Sequence, residues 1–185
     1  ADWHMPYRFD RIESMLQATE KHTLNSMKEI QTDTLSLSAK ELLPHLQAAQ
    51  SNHPLAAEAK TILANYDGHM NQDSSAATIF NAWADQLARR LFEKKLGKSF
   101  AIEYGKRDFR AGVHKVVNMY ANGQSGTDYW CDKAETPEIE NCDQAFGESL
   151  TKALDMLSDR LGKKPSAWRW GDVHVAVSEH RPFSK

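Results

Sequence analysis

The sequence lacks a surplus of charge of either sign, and it lacks any long hydrophobic run. Its 185 residues include 23 Lys and Arg against 25 Asp and Glu, which gives a formal net charge of −2. Because the basic and acidic residues are nearly equal in number, the charge balance provides no basic surface for nucleic acid or for anionic lipid. No run of about 18 apolar residues occurs, so the sequence predicts no transmembrane helix. We therefore expect neither nucleic acid nor a membrane as a partner.

Motifs for metal binding and for nucleophilic catalysis are also missing. The eight histidines contain no His-Glu-x-x-His pair, and the two cysteines are not at zinc-site spacing. No Gly-x-Ser-x-Gly elbow occurs, and Ser36, Ser75 and Ser166 lie in helix-start or turn contexts. The sequence predicts no metal site, no cofactor and no self-contained serine triad.

The first residues, 1–6, have neither the basic nor the apolar region of a signal peptide. We expect either that the mature protein has lost such a peptide or that the chain is a piece excised from a longer one.

What the sequence does contain is helical periodicity, which predicts an all-α fold. Thr23 is the predicted N-cap of a short helix, Gly97 the end of the longest one, and residues 173–177 only a weak strand candidate. A weaker pattern over residues 100–123 predicts one further helix. We expect a single helical domain or fragment, with hairpins in 1–121, an irregular loop in 122–141 and a long helix with a tail in 142–185.

Each predicted helix carries an apolar stripe. For the two longest helices, over about 75–95 and 143–161, the predicted inward residues are Ile79, Phe80, Trp83, Leu87, Leu91 and Phe92, and Phe146, Leu150, Ala153, Leu154 and Leu157. The stripe of the first helix is Phe9, Ile12, Met15 and Leu16, and those of the others are Leu35, Ala39, Leu42, Leu43 and Leu46; Leu55, Ala59, Ile62 and Leu63; and Phe109, Val113, Val116, Val117 and Tyr120. Phe80 and Trp83 are expected in the core rather than in a ligand pocket.

Two tryptophans stand close together near the C-terminal end, where Trp168, Trp170, Gly171 and His174 form a dense pattern. A tryptophan pair usually fills a core or an interface. The stretch also closely resembles the Trp-x-Trp-Gly-x-x-His motif of the penicillin acylase family, the N-terminal-nucleophile amidohydrolases. Four looser motifs of that family's β-chain occur in the same order, at residues 7–12, 30–33, 42–46 and 66–68. The cysteines Cys131 and Cys142 resemble a pair in its aculeacin and acyl-homoserine-lactone acylase subgroup.

The resemblance implies that this chain is the helical portion, an orthogonal or irregular multi-helix bundle, of the β-chain of an αββα hydrolase. Its partners would be the remaining α- and β-chain segments and a small-molecule linear amide such as a penicillin, aculeacin or an acyl-homoserine lactone. The family's nucleophile is the serine at the N-terminus of the β-chain, with its own amine as general base. This chain begins with Ala1, and the family's oxyanion asparagine lies upstream, so we expect the 185 residues alone to be inactive.

The resemblance also assigns roles to individual residues. Arg8 takes the position of an arginine close to the nucleophile, where a guanidinium stabilises developing negative charge; the alternative is a surface arginine at a helix start. Arg11 is expected to pair with acidic neighbours, and His174 and His180 to be structural. Because the family is periplasmic or secreted, Cys131 and Cys142 are expected to form a disulfide, the alternative being two free thiols in a cytosolic chain.

Two functions from different classes remain open at this point. The chain is part of an amidohydrolase that removes an acyl group from an amide nitrogen, or it is a stand-alone α-helical binding or scaffold module. A reading frame that continues upstream into a signal peptide and a processing junction before a serine would favour the first.

Overall fold

A computed structural model of the chain describes residues 5–106, 109–133 and 136–177. These residues form α-helices joined by loops and short 3-10 turns, and within these ranges the only β-pairing is an isolated bridge between Leu35 and His69. The all-α prediction is confirmed. None of the helices in these ranges has the length and hydropathy that crossing a membrane requires. The helices are α1 (Tyr7–Gln17), α2 (Leu24–Thr32), α3 (Leu37–Ala48), α4 (Ala56–Ala64), α5 (Ser75–Leu96), α6 (Phe100–Tyr104), α7 (Phe109–Ala121), α8 (Thr127–Cys131), α9 (Cys142–Leu161) and α10 (Trp170–Val173).

Helices α5 and α9 pack along each other and form the centre of the fold. Each has a side-chain cap at its start: Ser74 accepts from the N–H of Ala77, and Asn141 forms a capping box with Gln144. All the predicted inward residues of both helices are buried, which confirms both stripes and the core role of Phe80 and Trp83. Full burial of one such apolar side chain stabilises the fold by about 1.5–3 kcal/mol.

The two central helices are also joined by a polar contact. The indole N–H of Trp83 on α5 donates to the carbonyl oxygen of Phe146 on α9 at 3.1 Å, and the two rings meet edge to face. A buried indole N–H without a partner would cost free energy, so this bond sets the register between the helices.

Helices α3, α4 and α7 cover the central pair with the stripes that the sequence predicts. The buried members are Ala39, Leu42, Leu43 and Leu46 on α3, Ala59 and Leu63 on α4, and Val113, Val116 and Val117 on α7. The predicted N-cap Thr23 is confirmed at the start of α2, where its side chain accepts from the N–H of Ser26.

Helix α1 forms where predicted, but its apolar stripe does not enter the core. No residue of α1 is buried, and Phe9 is 66% exposed. In the described part of the chain α1 lies mainly against α2 and α3, and its Tyr7 contacts His114 on α7, which leaves Phe9 largely uncovered. Periodicity predicts the helix correctly here, whereas burial depends on what packs against it.

Three other local expectations differ from the structure. The helix predicted within 100–123 forms as α7, but a short helix that the pattern did not predict, α6, precedes it, and its Phe100 and Tyr104 pack on Phe109. The loop expected at 122–141 contains α8, which is held by the packing of Trp130 on Phe92. The weak strand candidate at 173–177 forms no strand: Val173 ends α10.

Candidate functional site

The Trp-x-Trp-Gly-x-x-His segment fixes the C-terminal part of the described chain onto the bundle. Trp168 is only 1% exposed, and its indole N–H donates to the carbonyl oxygen of Gly162 at 2.8 Å. Trp170 packs against the core and stacks on His174, with ring centroids 4.6 Å apart. Each aromatic residue of the motif therefore has a structural contact.

The glycine of this motif lies against a turn that precedes α5. The N–H of Gly171 donates to the carbonyl oxygen of Gln72 at 2.8 Å, and a Cβ on Gly171 would lie 3.2 Å from the Cβ of Gln72. Arg169 forms an ion pair with Asp73 in the same turn. Glycine at position 171 allows the two backbones to approach this closely. His180 lies outside the described residues.

Cys131 and Cys142 form a disulfide in the structure, with their Cα atoms 4.9 Å apart. The bridge connects the last residue of α8 to the first residue of α9, and both cysteines are buried. Within the loop that the bridge closes, the carboxylate of Glu140 accepts a hydrogen bond from the backbone N–H of Lys133 at 2.9 Å. That bond is the main reason that the pKa of Glu140 falls to about 2.

Arg8 lies in a groove of about 500 Å³ that α1 forms with the end of α2 and the start of α3. The apolar part of the groove lining comprises Ile12, Met15, Ile30, Leu35 and Leu37. Arg8 is exposed, and no other residue in the described ranges forms an ion pair with its guanidinium. A cation beside an apolar channel can bind the polar end of an acyl compound or an acidic group.

Arg11 lies one turn after Arg8 and has a different environment. Its Nε and Nη2 atoms donate to the two carboxylate oxygens of Asp33, each at 2.8 Å. The hydrogen bonds from Arg11 outweigh partial burial and lower the pKa of Asp33. This bidentate pair confirms that Arg11 has an acidic structural partner, and it ties α1 to the end of α2.

A polar cluster that the sequence did not predict lies where α1 meets α3 and α7. Tyr7 donates its hydroxyl proton to Glu41 on α3, and Asn118 on α7 donates to the same carboxylate at 2.9 Å. Nδ1 of His114 lies 2.9 Å from the Tyr7 hydroxyl and 3.2 Å from Glu41 Oε1, and Nε2 lies 2.7 Å from the hydroxyl of Ser38. The cluster joins residues up to 107 positions apart, and its only sequence signal was Tyr7 in the loose family motif at residues 7–12.

The protonation states of this cluster follow from its contacts. Burial would raise the pKa of Glu41, but hydrogen bonds from Tyr7, Asn118 and His114 together lower it. Burial, together with the nearby charge of Arg110, lowers the pKa of His114 more than Glu41 raises it. Glu41 is therefore an anion at neutral pH and His114 is neutral, so Nδ1 carries the proton and Nε2 accepts from Ser38. The described residues contain no group of three His, Cys, Asp or Glu side chains placed to hold a metal ion.

Comparison with known proteins identifies the family. The penicillin amidase family profile matches residues 1–185. The chain belongs to the penicillin amidase family. It is 28% identical over 194 residues to the acyl-homoserine lactone acylase QuiP of Pseudomonas aeruginosa, a match that covers 94% of this chain and 22% of the relative. It is 29% identical over 190 residues to the penicillin acylase 2 proenzyme of a Pseudomonas species, covering 98% of this chain and 21% of the relative.

Membership of the penicillin amidase family confirms the resemblance carried by the tryptophan motif. A third similar protein, an acyl-homoserine lactone acylase of Pseudomonas fluorescens, is 24% identical over 192 residues, with 93% of this chain and 23% of the relative covered. The chain thus spans about a fifth of the length of these relatives.

Proposed function

We propose that this chain is the helical part of an N-terminal-nucleophile amidohydrolase that releases an acyl group from a linear amide. Support comes from the family match over the whole chain and from similar proteins that are named as acylases. Because the chain spans about a fifth of those relatives, we place the nucleophile and its oxyanion asparagine in the remainder of the parent protein. The 185 residues alone are then expected to have no acylase activity.

The exposure and the lack of an ion-pair partner at Arg8 within the described residues support a catalytic role for this chain. Its guanidinium is exposed and unpaired within the described part, although Arg11, one turn away, is neutralised by Asp33. An exposed cation that has no partner among the described residues is available to stabilise negative charge that develops on a substrate or nucleophile. We assign that role to Arg8 in the assembled parent enzyme.

The partners that we propose for the chain are the remaining α- and β-chain segments of the parent. The exposed apolar residues on the first two helices support this, since Phe9 is 66% and Leu24 74% exposed. Apolar surface of this kind is normally covered by another part of the protein. We propose that the parent segments lie over α1 and bring its groove next to the nucleophile.

We further propose that the parent is periplasmic or secreted. The disulfide between Cys131 and Cys142 supports this, because such bonds persist in oxidising compartments and are rare in the cytosol. The substrate class is a small-molecule amide, and neither a nucleic acid nor a membrane is proposed as a partner.

The test of the proposed function compares Arg8→Ala with Arg160→Ala in the full-length parent. Arg160 is also exposed, but it lies in the last turn of α9. We expect Arg8→Ala to block maturation or to reduce kcat by roughly 100-fold, the usual effect of losing one electrostatic stabiliser. Arg160→Ala should mature and turn over normally. If Arg8→Ala matures and matches the wild type on both a penicillin and an acyl-homoserine lactone, Arg8 is a surface residue.

A further inference from the structure

Helix α1 is attached to the rest of the fold mainly by polar side chains. None of its residues is buried, and its apolar contribution to the groove with α2 and α3 is Ile12 and Met15, so apolar packing alone does little to fix where the helix lies along its axis or how it is rotated. Two side chains provide that information: Tyr7, which bonds to Glu41 on α3, and Arg11, which bonds to Asp33 after α2.

The two anchors lie on either side of Arg8 in the sequence. Tyr7 and Arg11 are four residues apart, so they lie on one side of α1, one turn from each other. Arg8 is rotated by about 100° from Tyr7 and advanced by about 1.5 Å. Fixing both anchors therefore fixes the direction in which Arg8 leaves the helix, toward the groove formed with α2 and α3.

The anchor at Tyr7 is the more rigid of the two. Its hydroxyl contacts both Glu41 and His114, and its ring packs on the His114 ring with centroids 5.1 Å apart. His114 is 5% exposed and is itself held at both ring nitrogens. Three helices, α1, α3 and α7, thus meet at one hydroxyl group.

We infer that Glu41 and His114 are positioning residues for the reaction, and that they act through Tyr7 to hold Arg8 in place. This inference rests on the proposed function, because it assumes that Arg8 stabilises charge in the parent enzyme. A displacement of about 1 Å in a charge-stabilising group can cost up to about 100-fold in rate. Loss of the Tyr7 hydroxyl should therefore reduce turnover by releasing α1 from Glu41 and His114.

A double-mutant cycle in the mature parent enzyme tests the inference. Tyr7→Phe, Arg8→Ala and the double variant are assayed with N-decanoyl-homoserine lactone and with penicillin G. We expect Tyr7→Phe to lower kcat by about 10- to 100-fold with little change in KM, and to have no further effect when Arg8 is already Ala. The same fold-loss in both backgrounds would overturn the inference while leaving the proposed function intact. An Arg8→Ala enzyme with normal kcat would instead refute the catalytic role proposed for Arg8.

Tyr120→Phe is the matched control. Tyr120 donates its hydroxyl proton to Asp143 at 2.6 Å, so the substitution removes a tyrosine–carboxylate bond of the same kind at a distance from Arg8. It should leave kcat unchanged even if it lowers the melting temperature. A fall in kcat equal to that of Tyr7→Phe would show general loosening and would contradict a specific effect through Arg8.

Two further variants keep the inference testable. If Tyr7→Phe does not mature, Asn118→Ala takes its place in the cycle, since this substitution removes only one donor to Glu41. We expect Asn118→Ala to lower kcat less than Tyr7→Phe, and to have no effect on kcat when Arg8 is already Ala. Ser38, His114 and Glu41 are linked in the order of a catalytic triad. Ser38→Ala removes the contact at His114 Nε2 and should lower kcat no more than Tyr7→Phe does, whereas abolished activity would assign the cluster to nucleophilic catalysis instead.

Discussion

The carbonyl oxygen of Gln50 occupies the space where a side chain on Gly147 would begin. A Cβ placed on Gly147 would lie 2.1 Å from that oxygen, and the nearby hydroxyls of Ser51 and Thr151 are hydrogen-bonded at 2.8 Å. The loop after α3 thus lies directly on the backbone of α9. Because the contact atom belongs to the main chain, it cannot rotate away as a side chain would.

We predict that Gly147→Ala destabilises the fold by roughly 1–3 kcal/mol, the usual cost of forcing extra volume into a packed contact. Urea denaturation of the wild type and the variant measures the change. Gly105→Ala is the control, because no atom lies within 4 Å of a Cβ placed there. Equal stability of the wild type and Gly147→Ala would show that the loop moves away from α9 without cost.

The Arg11–Asp33 pair should make stability depend on acid pH. The pKa of Asp33 is lowered in the folded protein, chiefly by the hydrogen bonds from Arg11, so the pair stabilises the folded state above the unfolded-state pKa of about 3.9. This contribution is lost as the pH falls through the lower, folded-state pKa. Asp33→Asn should cost about 1 kcal/mol at pH 7, and the difference from the wild type should shrink below pH 4 in a series of denaturation curves.

The exposed pair between Lys106 and Glu103 provides the control for that series. Its side chains are 58% and 41% exposed, so Glu103→Gln should change stability by close to zero at every pH. A gap between wild type and Asp33→Asn that stayed constant down to pH 2 would mean that proton binding at Asp33 is not the cause.

Reduction of the disulfide should destabilise the protein. The bridge joins cysteines separated by 11 positions, and closing so short a loop stabilises the fold by about 2–3 kcal/mol. A thermal melt should shift to lower temperature with reductant, and a double Cys131→Ala, Cys142→Ala variant should match the reduced protein. Thiol counting under denaturing, non-reducing conditions should find none in protein from its native compartment. Two free thiols there would refute the bridge.

Trp168 should be among the most costly aromatic side chains to remove. It is 1% exposed and its indole donates to Gly162, so Trp168→Ala should cost about 3–5 kcal/mol. Tyr129→Ala, at a ring that is 65% exposed, should cost less than about 1 kcal/mol. Equal losses from the two substitutions in the same denaturation assay would contradict the structural role of the motif.

Hydrophobic periodicity predicted the centre of this fold well because α5 and α9 are each other's partners. Their stripes are local in sequence, and both partners lie within the chain. The same pattern on α1 predicted the helix but not its environment, because Phe9 and Ile12 stay 66% and 40% exposed. Burial depends on what packs against a helix in the assembled protein, and an apolar stripe alone does not predict which element that is.

The candidate site was predictable only in part. The family motif at residues 7–12 predicted a role for Arg8 through the family resemblance, and Arg11 was expected to have an acidic partner. Glu41 and His114 had no signal, because the residues they contact are 34 and 107 positions from them in the sequence. A single glutamate on an exposed helix face and a single histidine on a valine-rich helix look ordinary until the chain is folded.

The absence of buried residues on α1 also determines how the protein opens. No side chain of α1 is itself buried, so its opening must overcome little more than the contacts of Tyr7 and Arg11 and those of Ile12 and Met15 in the groove. The amide hydrogens of α1 should therefore exchange with solvent through a local opening, well before those of α5, which exchange only when the whole core unfolds. In the isolated chain the helix that carries Arg8 should thus open well before the central helices α5 and α9.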